Sequence, residues 1–309
     1  MSDDDEDWFE RALRESAGTA EVGAPDAAQG LEVEESADVD DVFGTDFASA
    51  FEAAPFPGES APGGGLGDDF VDEDYDSAID RIDIGVEGLD AMIQGGVPDR
   101  SLVVAIGEAG TGKTTFGLQF VNQALIDGES AVFIALEETR ERVLDTAEDK
   151  GWPFHEYVEE GRLAVVDLDP IEMANSLTSI RNELPGLVRE FGATRLVLDS
   201  VSLLEMMYPD QSTRRNEIFD FTNSLKAAGV TTFLTSESSE RDPYHSRFGI
   251  IEYLTDAVFV LRYIRPDDFK ETRLAVEIQK IRDANHSREL KPYEITNEGI
   301  SVYRQANIF

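Results

Sequence analysis

The chain of 309 residues has no cysteine, which excludes a disulfide framework and any thiolate metal site. No apolar run approaches the roughly 18 residues that cross a bilayer, so no membrane span is expected. The opening residues, MSDDDEDWFE, place acids where a secretory leader carries a positive segment and an apolar core. The expectation is a cytoplasmic chain. Basic residues are also scarce, 26 Lys and Arg against 64 Asp and Glu, for a formal net charge of −38. A surface of that sign repels the phosphate backbone of nucleic acid at ordinary ionic strength, so a nucleic-acid partner is not expected. It suits molar salt, where charges are screened within about 3 Å; the composition reads as halophilic, of haloarchaeal type.

The acid is unevenly spread. Residues 1–76 hold 24 Asp and Glu against Arg11 and Arg14, with few branched apolar side chains to offset ordering entropy. They read as an acidic, disordered tail, and residues 77–309 as one folded domain. Two apolar islands interrupt the tail. Residues 7–16 form one or two helical turns with Trp8, Phe9, Ala12 and Leu13 on one side, and residues 42–56 space Phe43, Phe47 and Phe51 by four. Such islands dock on a partner protein or on the parent domain, or are incidental to a solvated tail. Residues 62–67 read as a flexible linker.

From Ile79 onward, apolar runs alternate with amphipathic segments. Strands are expected at 101–106, 130–135, 163–167, 195–198, 231–234, 257–262 and 273–280, and helices at 114–126, 139–150, 171–191 and 215–228. This alternation predicts an α/β fold, a mostly parallel twisted sheet with helices on both faces. The last two strands, joined by the short turn 266–270, predict an antiparallel hairpin at one edge.

Between the strand LVVAI and the first of those helices lies Gly107-Glu108-Ala109-Gly110-Thr111-Gly112-Lys113-Thr114, the spacing of a phosphate-binding loop. Its glycines turn backbone N–H groups toward phosphate oxygens, Lys113 reaches the terminal phosphates and the Thr114 hydroxyl coordinates Mg2+. Thr115 belongs to the same cradle, at the positive end of the helix. ATP and Mg2+ are therefore the expected ligands. Residues 195–200 form an apolar strand ending in Asp199, the candidate carboxylate for the metal's water shell. Residues 133–138 end another strand with Glu137 and Glu138. Adjacent carboxylates in a partly buried cleft cannot both ionise without cost, which suits one as general base. Glu137 is the candidate water activator with Glu138 as support, or the reverse; alternatively, both simply charge the first turn of helix 139–150. Thr235, Ser236 and Glu237 follow a buried strand at the ligand-binding edge. There Ser236 is the candidate sensor of the terminal phosphate, unless these are plain turn residues. Lys280 and Arg282 share one face of the last strand, either to neutralise charge on a transferring phosphoryl group or as salt-bridged surface residues.

With these residues in place, positions 81–303 resemble a single KaiC-type domain of the RecA superfamily. Ile84-Gly85-Val86-Glu87-Gly88-Leu89-Asp90 with Gly95-Gly96-Val97-Pro98 is similar to the family's lead-in to the loop. Glu137-Glu138 resembles its tandem catalytic glutamates and Leu198-Asp199-Ser200-Val201 its metal-side motif. Arg247-Phe248-Gly249-Ile250-Ile251-Glu252 and Thr255-Asp256-Ala257-Val258 resemble the segment before its late strands, and Lys280-Ile281-Arg282 with His286 its trans-acting finger. The resemblance implies a RecA-like P-loop fold and a regulatory ATPase acting in signal transduction. It also implies a homo-oligomer, a hexameric ring with ATP between subunits, in which Lys280 and Arg282 serve the neighbour's nucleotide. KaiC itself carries two such domains and a phosphorylation segment, whereas one domain is visible here, so clock and autokinase functions are not implied. The competing readings are a DNA-binding recombinase relative of the RadA/RadB type and a non-hydrolysing nucleotide-dependent scaffold such as an archaellum motor component. The −16 charge of residues 77–309 and the lack of a basic stripe count against the first. The acidic tail is the expected route to an unknown protein partner.

Overall fold

The structure, a computed structural model, describes residues 8–18, 79–265 and 272–303. The chain divides into two compact units, Met1–Glu21 with Tyr75–Phe309, and Val22–Asp74; every described residue falls in the first. The apolar island at 42–56, the linker at 62–67 and the turn at 266–270 lie outside the described residues.

The chain enters through helix α1 (Trp8–Gly18), strand β1 (Arg81–Ile82), helix α2 (Glu87–Met92) and strand β2 (Val97–Pro98), with β1 and β2 paired antiparallel. The lead-in is held by one side chain. The Asp90 carboxylate accepts the backbone N–H groups of Ile84, Gly85 and Val86 at 2.7, 3.2 and 3.0 Å. Then follow β3 (Leu102–Gly107), α3 (Lys113–Ile126), β4 (Ser130–Ala135), α4 (Arg140–Glu148), α5 (Phe154–Glu159) and β5 (Leu163–Asp167). After them come α6 (Pro170–Asn175), α7 (Leu177–Phe191), β6 (Ala193–Asp199), α8 (Val201–Met206), α9 (Gln211–Ala228) and β7 (Thr231–Glu237). The chain closes with α10 (Ile251–Leu254), β8 (Ala257–Ile264), β9 (Arg273–Ile281), β10 (Lys291–Thr296) and β11 (Gly299–Val302).

Nine strands form one sheet in the order β11-β10-β9-β8-β3-β7-β6-β4-β5. The strands from β8 to β5 run parallel, and β8 to β11 are antiparallel. All six residues of β3 are buried, as parallel strands covered on both faces require. Alternate residues feed opposite cores: Val103 and Ala105 join α3 and α4, whereas Leu102, Val104 and Ile106 join α7, α8 and α9. Phe116 and Phe120 of α3 pack on Phe233, ring centroids 4.8 and 5.4 Å apart. Among the described residues no helix is long and apolar enough to cross a membrane.

The structure corrects three sequence expectations. The helix expected over 171–191 is two, α6 and α7, broken at Ser176, whose backbone leaves helical geometry and whose hydroxyl donates to the Ala17 carbonyl of α1. That contact joins residues 159 apart, so no local periodicity announces it. The edge hairpin continues into two further antiparallel strands, β10 and β11. Residues 8–18, read as part of a disordered tail, are helix α1 packed on the domain, the docking on the parent domain that was one of the alternatives for this island. Phe9 and Leu13 are fully buried in the core beside α7, each side chain contributing about 1.5–3 kcal/mol over exposure.

Candidate functional site

Parallel pairing fixes which residues meet at the carboxyl edge of the sheet. Gly107 is in register with Glu237 and Leu261, and Ala135 with Asp167 and Asp199. The glycine-rich loop therefore leaves β3 beside the strand ends that carry the candidate acids.

Gly110 and Gly112 adopt φ of +80° and +86°, values that glycine reaches without strain. A Cβ at Gly110 would lie 2.7 Å from the Tyr263 hydroxyl, and one at Gly112 would lie 2.7 Å from Ile295 Cδ1. The loop's shape thus needs both glycines. Its backing comes from the antiparallel edge, where the Tyr293 hydroxyl donates to the Thr111 carbonyl and the Tyr263 hydroxyl to the Ala109 carbonyl at 3.5 Å. Burial pushes the Tyr293 phenol well above its usual range, so it stays a proton donor.

Lys113, the first residue of α3, folds back over the loop and donates to the carbonyls of Gly107 and Glu108, both at 3.0 Å. Burial holds its ammonium below the ordinary lysine value, against the opposing charges of Glu137, Asp199 and Glu237. The Thr114 hydroxyl donates to Asp199 Oδ2 at 2.6 Å, and the Thr235 hydroxyl to Asp199 Oδ1. Asp199 is 3% exposed. Burial raises its carboxyl above the usual range, opposed by the bonds from Thr114 and Thr235 and by the charge of Lys113. The next peptide, Asp199-Ser200, is cis, and the Ser200 hydroxyl donates to Glu137 Oε1 at 2.6 Å. Lys113, Thr114, Asp199 and Glu137 are thus gathered by three strands and one helix.

Three expected residues differ in their setting from the sequence reading, one in its facing and two in their exposure. Ser236 points to the opposite face from Asp199: its hydroxyl lies 3.2 Å from that of Ser202 in α8. Thr235 occupies the position beside Asp199, because side chains alternate along a strand and a shift of one residue reverses the face. Glu137 and Glu138 are both exposed, so the partly buried cleft expected around them is not there. Glu237 is engaged by the Arg247 guanidinium at the wall of an open cleft of about 890 Å³, which also borders Glu108, Ala109 and Phe248.

Lys280 and Arg282 lie at the other end of the sheet. β9 runs antiparallel to β8, with Ile281 opposite Ala257 and Lys280 opposite Val258, which puts them at the amino edge, across the sheet from their own loop. There Lys280 Nζ donates to the Glu252 carbonyl at 2.9 Å, and Arg282 pairs with Asp256 at 3.2 Å. His286 follows in the same loop, where Ser287 N–H donates to the Met92 carbonyl at 2.7 Å.

A strand-loop-helix unit of this shape, at the carboxyl edge of a mostly parallel nine-stranded sheet, defines the P-loop fold of the RecA superfamily. The family model described as "ATPase: KaiC" matches residues 82–307, and the chain belongs to that family. It is 30% identical over 232 residues to the circadian clock oscillator protein KaiC of Parathermosynechococcus lividus, covering 73% of this chain and 42% of that protein. It is 31% identical over 238 residues to KaiC of Thermostichus vulcanus, covering 75% and 45%. The chain spans less than half the length of these curated relatives. It also resembles the crystal structure of a KaiC-like protein from the hyperthermophilic archaeon Pyrococcus horikoshii OT3, with a TM-score of 0.65 and 33% identity over 73% of this chain and 99% of that one.

The two tyrosines behind the loop and the bond from Ser200 to Glu137 carry no signal in the sequence, whereas Thr235 stands beside Ser236 in the segment the sequence points to. The only available signal was strand alternation, which distinguishes Thr235 from Ser236 once the strand's facing is known.

Proposed function

We propose that the chain is a Mg2+-dependent ATP hydrolase acting as a regulatory, ring-forming ATPase. The observation that carries it is the convergence of Lys113, Thr114 and Asp199 beneath the loop, with Glu137 held alongside by Ser200. The backbone of residues 107–115 would cradle the phosphates, as positive-φ glycines and a helix N-terminus allow. Lys113 would exchange its two loop carbonyls for the terminal phosphates. The Thr114–Asp199 pair, a hydroxyl and a carboxylate 2.6 Å apart, is a donor set that suits a small hard cation completing its shell with phosphate and water. Bound there, Mg2+ would neutralise charge on the β- and γ-phosphates.

Glu137 would accept the proton of the attacking water as the new oxygen–phosphorus bond forms and the bond to the ADP oxygen breaks, with Glu138 as its supporting carboxylate. Ser200 occupies a lone pair of Oε1, which favours Oε2 as the oxygen that would take the proton. Lys280 and Arg282 stand across the sheet from their own loop, so their service is to a neighbouring subunit's nucleotide in a homo-oligomer, taken as a hexamer. The acidic residues ahead of the domain are the proposed route to a partner protein, and the cytoplasm the proposed location.

The test is steady-state ATP turnover of the full chain in Mg2+ and molar KCl, with Glu137→Gln as control. Turnover that persists unchanged in Glu137→Gln overturns the assignment of the base. Nucleotide binding with no turnover in the unaltered chain would leave only a switch. Light scattering with and without ATP tests the ring, and a monomer in both overturns it.

A further inference from the structure

Helix α1 reaches the site from the far end of the sequence. We propose that Glu10 and Arg140 are positioning residues, through which α1 straps down the loop that carries Glu137 and Glu138; the inference rests on the hydrolase reading of that loop.

Arg140 stands two residues after Glu138 and opens α4. It is held twice. Its Nε donates to Glu10 Oε1 at 2.9 Å, and its backbone N–H donates to Asp167 Oδ2 at 3.1 Å. The other Asp167 oxygen accepts from Arg14, one helical turn beyond Glu10. Two residues of α1 at the i, i+4 spacing that shares a helix face therefore close a circuit with the first residue of α4 and the last residue of β5.

The helix has its own anchorage on the other side. Phe9 and Leu13 are fully buried, Phe9 meets Phe191 edge-on at 5.3 Å, and the Ser176 hydroxyl bonds the Ala17 carbonyl. The support is thus independent of the ion pair it presents. An exposed pair would fix little, but Glu10 is 1% exposed, and taking a charged partner from a buried carboxylate is costly. That penalty holds Arg140 against α1. With Ser200 on Glu137 at one end and Glu10 and Asp167 on Arg140 at the other, the four residues 137–140 are pinned at both ends. A general base gains from being held within a fraction of an ångström of the water it deprotonates.

The test uses the full chain with Glu10→Gln, Arg140→Gln and the double variant, measuring kcat, KM for ATP and amide hydrogen exchange over residues 137–142. The expected result is kcat lowered on the order of ten- to a hundredfold in Glu10→Gln, as displacement of a reacting group produces. KM should stay unchanged, exchange over 137–142 should quicken, and the double variant should be no slower than the slower single. Unchanged kcat and exchange in Glu10→Gln overturns the proposal. So do single effects that multiply in the double variant, or a fall in kcat without faster exchange at 137–142. Should the unaltered chain hydrolyse no ATP, the hydrolase reading fails, and the exchange measurement alone then decides whether α1 secures the loop.

Discussion

The two ends of the parallel sheet carry opposite chemistry. At the carboxyl edge, two charges are drawn inward: Asp199 is almost wholly buried, Lys113 is half-buried over backbone carbonyls, and both are shifted toward their neutral forms by lost hydration. At the amino edge, Asp256 gathers two cations at the surface, Lys226 at 3.0 Å and Arg282 at 3.2 Å, and accepts the Leu102 backbone N–H at 3.0 Å. Arg282 there is 52% exposed. An inward-facing charged cluster can bind and activate a ligand of its own. An outward-facing cation, tethered but wet, can only act on something brought to it. The contrast is the reason for proposing nucleotide binding at one edge and help in trans from the other.

The largest expected effect breaks the comparison at the amino edge. Arg282→Ala should reduce ATP turnover by roughly 10³–10⁵, the range for a cation supplied to a transferring phosphoryl group, while leaving nucleotide affinity of the isolated subunit unchanged. Mixing Arg282→Ala with Glu137→Gln should restore part of the turnover, since some interfaces in a mixed ring then hold both an intact base and an intact cation. No recovery on mixing would return Arg282 to the role of a surface ion pair. Next in size, Glu137→Gln should slow turnover about 10²–10⁴-fold, as loss of a general base does, with ATP still bound by equilibrium fluorescence titration.

A stability prediction sharpens the inward-facing side. Glu205 in α8 is fully buried, both carboxylate oxygens lack a hydrogen-bond partner, and burial, with Glu252 adding to it, raises its pKa from 4.5 to about 8. A carboxyl with a raised folded-state pKa binds its proton more tightly when folded. Stability from this group is therefore fully present below about 4.5 and lost as pH rises through about 8. Glu205→Gln should flatten that slope and stabilise the protein at pH 8, by up to about 4 kcal/mol, with the gain shrinking toward pH 5. Thermal melts across that window check it, and a parallel pH dependence in both proteins would refute it. The smallest effect is on the outward side. Arg282→Ala should change stability by about 1 kcal/mol or less, because exposed pairs contribute little; a larger loss of Tm would mean that the Asp256 cluster is structural.

Much of the fold was legible because its signals are local. The apolar runs at 130–135 and 163–167 coincide with β4 and β5 to the residue, and the loop between β3 and α3 announces itself by glycine spacing. Asp199 was legible as the end of an apolar run. What escaped depended on partners far away in the chain. The choice of Thr235 over Ser236 turns on which face of β7 meets α3. The break at Ser176 answers to Ala17, and the exposure of Glu137 and Glu138 is set by how the loop after β4 leaves the sheet. The strands β10 and β11 are short and were passed over, yet they frame the tyrosine and isoleucine that shape the phosphate loop.

By itself, the sequence determined the alternation of strands and helices, the glycine loop that needs positive φ, and the strongly acidic net charge. These follow from backbone sterics, side-chain period and net charge, which are properties of neighbouring residues or of the whole sum. Only the tertiary structure decided that Lys280 and Arg282 stand across the sheet from their own loop, that Thr235 rather than Ser236 faces Asp199, and that a helix beginning at Trp8 grips Arg140. Strand order, facing and docking are settled by which surfaces exclude water together, and that is a property of the packed chain.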